Sequence, residues 1–164
     1  MIWVLRAALI WLLVLILPAN WLHKHGLMIT SELTASRMAS FGGEAFSDRL
    51  AVPPFFQAVP DTLENTAVSR LRLFENAKRL GPPHTSHAEI RADGHGRFSH
   101  WYGTVVFSSS DGSNPITNGR NYWARYPVHL TPWGAVIGFA GPAVLLAMAR
   151  ILYALRARLR IAGT

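Results

Sequence analysis

The chain has 164 residues, is half hydrophobic, and carries sixteen lysines and arginines against nine acidic residues, a formal net charge of +7. It holds no cysteine, so nothing in it depends on disulfides. The charge is no nucleic-acid footprint: Arg6, Arg150, Arg156, Arg158 and Arg160 lie in or beside the terminal apolar stretches, and the segment between holds eleven basic residues against all nine acidic ones.

Those stretches, Ile2 to Leu22 and Trp133 to Leu155, contain one arginine each. A helix rising about 1.5 Å per residue crosses a bilayer core in roughly 20 residues. The fold class expected from this is a membrane protein, with two transmembrane helices flanking a small β-rich extracytoplasmic domain. Its parts are transmembrane helix 1 at 2–22, a membrane-proximal helix and Pro-rich connector at 24–60, the β-rich domain at 61–128, transmembrane helix 2 at 133–155 and a basic cytoplasmic tail at 156–164. The C-terminal arginines put both termini in the cytoplasm and the central segment outside, at a bacterial inner membrane. Absence of cysteine and of an Asn-x-Ser/Thr acceptor fits a bacterial envelope. The first span reads as an uncleaved anchor, because Leu17-Pro18-Ala19 puts no small residue three before a possible cut.

Between Gly26 and Arg49, the apolar residues Ile29, Leu33, Met38, Phe41 and Phe46 predict a short membrane-proximal helix stopped by Gly42-Gly43. Three prolines in Ala51 to Pro60 deny regular helix and predict an extended connector. From Asp61 the pattern shifts to short runs. Val68 to Phe74 alternates imperfectly and predicts a strand, although Asp61-x-x-Glu64 has the spacing of a helix cap. Thr104 to Phe107 and Asn121 to Val128 predict two more strands, rich in β-branched and aromatic residues and bounded by turn formers. A core drawn from about 70 residues is marginal alone.

The series LFENAKRLGPPHTSHAEIR, GHGRFSHW and FSSSDGSNPITNGR, spanning Leu73 to Arg120, resembles a short module of bacterial polysaccharide-biosynthesis proteins, where it accompanies glycosyltransferase or methyltransferase domains. The resemblance implies a link to envelope glycans and names no reaction. No transferase domain is present here, so no catalytic role is carried over.

Read from the residues alone, this stretch offers three chemistries. His84, His87 and Glu89 are of metal-ligand type, but Pro82-Pro83 leaves their alignment open and the spacing is not diagnostic, so no metal or other cofactor is expected. His100, Asp111 and Ser99 or Ser109 are of hydrolytic type, without a G-x-S-x-G turn, so no catalytic residue is expected. The third chemistry is recognition of a glycan. Trp101, Tyr102, Tyr122 and Trp123 offer flat faces, and the ligand-binding set is His100, Trp101, Asp111, Asn114, Asn118 and Arg120. The same loop is rich in turn formers, whose Asp and Asn side chains bond their own backbone. Arg120 is expected to hold Asp111 across it.

In the second span, Gly134, Gly138 and Gly141 share one helix face, where another helix can approach, and Pro142 permits a kink. The expected function is a non-enzymatic, membrane-anchored envelope protein whose outer domain binds or presents a glycan, or assists polysaccharide assembly or export. The alternative is an accessory subunit of a larger membrane complex. Expected partners are the lipid bilayer, an envelope glycan and other membrane subunits, and no nucleic acid.

Overall fold

The computed structural model describes residues 10, 13, 14, 17, 18, 20–136, 140, 144, 147, 148, 150, 151 and 153. Two compact units divide the chain, one of residues 26–129 and one of residues 1–25 with 130–164. In the first, the strands are β1 (Leu27–Leu33), β2 (Ala39–Gly42), β3 (Ala45–Arg49), β4 (Phe56–Ala58), β5 (Arg72–Glu75), β6 (Lys78–Arg79), β7 (Phe98–Trp101), β8 (Thr104–Phe107) and β9 (Tyr122–Leu130), and a short helix, His87–Asp93, precedes β7.

Period-two alternation builds the layers. In β9, Tyr122, Ala124, Tyr126 and Val128 are buried while Arg125 is exposed and Trp123 half-buried. The strand sits centrally in a sheet of order β1-β9-β5-β6, with β4 also paired to it. A second sheet has the order β2-β3-β8-β7. Leu33, Leu73, Tyr122, Ala124, Tyr126 and Val128 from the first sheet meet Phe46, Phe98, Val105 and Phe107 from the second in one core, so the unit is a β-sandwich. Val106, on the other face of β8, packs with Ala45 and with Ile90 of the helix. β8 is therefore covered on both sides, which accounts for its unbroken Val-Val-Phe run.

The segment 26–49 is strand throughout its ordered elements, where the sequence predicts a helix. β1 faces inward with Ile29, Ser31 and Leu33, and pairs along its length with β9. Gly42-Gly43 turns β2 into β3 instead of stopping a helix, with Gly42 opposite Ala45. Gly43 takes φ +53°, and a Cβ there would collide with the Arg91 carbonyl oxygen at the end of the short helix. The strand predicted over Val68 to Phe74 is confined to Arg72–Glu75.

The expectation of two transmembrane helices is corrected. Among the described residues no helix is long and apolar enough to cross a membrane. A span needs about 20 consecutive apolar residues in one helix, and within the two stretches residues 2–9, 11, 12, 15, 16, 19, 137–139, 141–143, 145, 146, 149, 152, 154 and 155 lie outside the described residues. The fold class of two transmembrane helices and the inner-membrane placement, which rested on those spans, are not supported by the described helices. Of the expected helix-packing residues, Gly134 lies in the first turn of the run from 132, its N–H donating to Thr131 Oγ1 at 3.0 Å. Gly138 and Gly141 lie outside the described residues.

Candidate functional site

A cleft of about 590 Å³ opens beside Trp101, lined also by Asp61, Leu63, Thr66, His84, Thr85, Ser86, His87, Glu89 and Ser99. Alternation along β7 aims its walls: Phe98 and His100 turn into the sandwich, and Ser99 and Trp101 turn to the opposite side. The helix His87–Asp93 forms another wall. Its start is fixed by a capping box, in which Ser86 Oγ accepts from Glu89 N and the Glu89 carboxylate accepts from Ser86 N. His87 stands edge-on to Trp101, with ring centres 5.9 Å apart, and to Phe41 at 5.3 Å.

Asp61 anchors the cleft floor. Its N–H donates to the His100 carbonyl at 2.8 Å, and it is 5 % exposed. Its Oδ1 accepts from Val68 N and Ser69 N at 3.1 and 2.9 Å, and its Oδ2 lies 2.8 Å from His84 Nδ1. A carboxylate only accepts, so Nδ1 carries the hydrogen and Nε2 is left as the basic nitrogen of a ring that lines the cleft. His84 itself sits at φ +59°, a conformation rare outside glycine. The flanking chain holds it there through Phe98 N donating to Pro82 O and Thr85 N donating to Phe98 O, each at 3.2 Å.

Two polar atoms at this cleft are buried and lack a hydrogen-bond partner among the described residues, Ser99 Oγ and His87 Nε2. Burial, aided by Arg91, pushes the His87 pKa down, so its ring is neutral. Behind the wall, His100 is 1 % exposed, and its Nδ1 meets Ser69 Oγ at 2.7 Å. Burial pushes its pKa down to about 4, against the opposing pull of the Asp61 charge.

The six residues expected to form one ligand site fall into two groups. Trp101 lines the cleft and His100 lies directly behind it. Asp111, Asn118 and Arg120 gather around Glu75. Arg120 Nη1 lies 3.0 Å from both Glu75 Oε1 and Asp111 Oδ1, and its Nη2 donates to Asp111 Oδ2 at 2.5 Å. Tyr122 Oη donates to Glu75 at 2.6 Å and accepts from Asn118 Nδ2 at 2.8 Å. The Ser110 hydroxyl also donates to Glu75. Burial alone would push the Glu75 pKa up, and these donors together bring it below its ordinary value. Arg120, then Ser113, hold Asp111 well below the usual carboxylate range. Asn114 closes a turn by accepting from Ile116 N at 2.9 Å. Register separates the groups: in the β7–β8 hairpin Trp101 pairs with Thr104 while Phe98 pairs with Phe107. The loop from Ser108 thus leaves the end opposite Trp101, about 10 Å away along the strand at 3.3 Å per residue.

His84, His87 and Glu89, the residues of metal-ligand type, all line the cleft. Among the described residues no three His, Cys, Asp or Glu converge for a metal ion, and Glu89 is engaged by Ser86. Of the residues of hydrolytic type, Asp111 is held by Arg120, and His100 by Ser69. Sequence reasoning missed Asp61, whose partner His84 lies 23 positions away; no local pattern announces that pair. Comparison with protein-family models, with curated proteins and with solved structures finds no match.

Proposed function

We propose that the unit of residues 26–129 is a carbohydrate-binding module and that the cleft beside Trp101 takes the saccharide. A sugar ring presents an apolar face and a rim of hydroxyls, and needs a flat aromatic wall with a few convergent polar groups. The observation that carries the reading is Ser99 Oγ, 5 % exposed and unpartnered among the described residues, next to Trp101 in a cleft. A buried hydroxyl without a partner is destabilising by about 1–3 kcal/mol, which a ligand hydroxyl would recover. His87 Nε2 stands ready to bond in the same way, and His84 Nε2 adds an acceptor. The resemblance of Leu73 to Arg120 to a module of polysaccharide-biosynthesis proteins points the same way.

Titration with a panel of neutral and acidic oligosaccharides, followed by isothermal calorimetry and by the Trp101 indole NMR signal, tests the proposal. Saturable binding that shifts this signal and weakens in Ser99→Ala is the expected result. Binding of every sugar unchanged in Trp101→Ala would remove the cleft as the site.

A further inference from the structure

Resting on that carbohydrate reading, we infer that the cleft also hydrolyses an ester carried by the bound saccharide, with His84 as general base. Four observations converge. Asp61 fixes the His84 ring through Nδ1 at 2.8 Å, which leaves Nε2 to take a proton. The His84 backbone is held at φ +59°, a strained conformation of the kind that accumulates at functional sites. Ser99 Oγ is a buried hydroxyl of the same cleft with no partner among the described residues. Trp101 supplies a wall against which a sugar can be held.

The chemistry of the lining selects the ester. Glycoside cleavage needs two working carboxylates, and here Asp61 already accepts three hydrogen bonds while Glu89 is tied to Ser86. Phosphoryl transfer needs cationic groups around the phosphate, and the lining holds neither lysine nor arginine. Acyl transfer to water needs a base and a donor to the oxyanion, which His84 and Ser99 can provide. His84 Nε2 takes a proton from water as the water oxygen attacks the acyl carbon. The carbonyl oxygen becomes an oxyanion and accepts from Ser99 Oγ. When the tetrahedral centre collapses, the C–O bond to the sugar breaks, and the departing sugar oxygen takes the proton from Nε2. Water and ester become a carboxylic acid and a free sugar hydroxyl, with His84 restored.

The test is acetate release from O-acetylated cello-oligosaccharides by the full chain, followed by proton NMR. His84→Asn keeps an N–H donor for Asp61 and can accept no proton, so it is expected to fold and to lose about 100-fold in kcat, with partial rescue by added imidazole. Ser99→Ala is expected to lower kcat by about 100-fold, in addition to weakening saccharide binding. Release at the wild-type rate in folded His84→Asn overturns the inference. So does absence of acetate release while the unacetylated oligosaccharides still bind, an outcome that leaves the carbohydrate reading standing. Absence of both binding and release contradicts the two together.

Discussion

Arg120 reaches Glu75 across forty-five positions of sequence, Nη1 to Oε1 at 3.0 Å, while the other arm of its guanidinium holds Asp111. The pair ties the loop after β8 to the end of β5, and Tyr122 on β9 adds its hydroxyl to the same carboxylate. Glu75 is 4 % exposed, and its donors make the ionised form the stable one.

Acid sensitivity follows from that network. The Glu75 pKa is lowered on folding, so its contribution is complete above the ordinary value of 4.5 and lost as pH falls through the lower folded value. Glu75→Gln is expected to lower stability at neutral pH by about 1–3 kcal/mol, the effect of leaving buried donors badly matched. It should also flatten the acid limb of the stability curve. Urea melts between pH 2 and 7 measure both effects; an acid limb as steep as wild type would assign it to other carboxylates.

His100 gives a second pH dependence, in a different window. Its pKa falls from 6.5 in the unfolded chain to about 4 in the sandwich, so between those values the unfolded state holds the extra proton and stability rises with pH. The contribution is complete above about 6.5 and declines toward pH 4, by about 3 kcal/mol at about 1.4 kcal/mol per pH unit. Histidine NMR titration should show a ring still neutral at pH 5. A His100 signal titrating near 6.5 would contradict the account of its burial.

Gly43→Ala tests how the helix wall is seated. The added Cβ meets the Arg91 carbonyl oxygen at a backbone φ of +53°, where an L-residue alone costs about 1–2 kcal/mol. Glu44 N also donates to that carbonyl at 3.0 Å. The variant is expected to lose about 2 kcal/mol or more of stability and to weaken saccharide binding, because the shifted helix carries His87. Stability equal to wild type would show that the turn and helix move apart freely.

The sequence made some of this legible and hid the rest for identifiable reasons. β8 and β9 announce themselves because their residues are β-branched or aromatic and their flanks are turn formers. β1 is concealed because its inward row reads Ile29, Ser31, Leu33, and the serine breaks the apolar alternation while it donates no pattern of its own. The contact of Arg120 with Asp111 is local enough to be expected from the loop, but Glu75 arrives through strand pairing. The cleft is half visible in the same sense. Trp101, His84 and His87 stand out by type, whereas Asp61 becomes important only when β7 lies beside it and His100 O accepts its N–H. In the terminal apolar runs hydropathy suggests two spans, whereas among the described residues no helix is long and apolar enough to cross a membrane.

Calorimetric titration of the full chain and of Trp101→Ala with the oligosaccharide that binds best in the panel decides whether the cleft takes the saccharide. Saturable binding by the wild-type chain, reduced about five- to twelvefold in Trp101→Ala with the fold intact by circular dichroism, is the predicted result; a stacking contact of about 1–1.5 kcal/mol accounts for that factor. Equal affinity in the two proteins would contradict the assignment of the cleft beside Trp101 as the carbohydrate site.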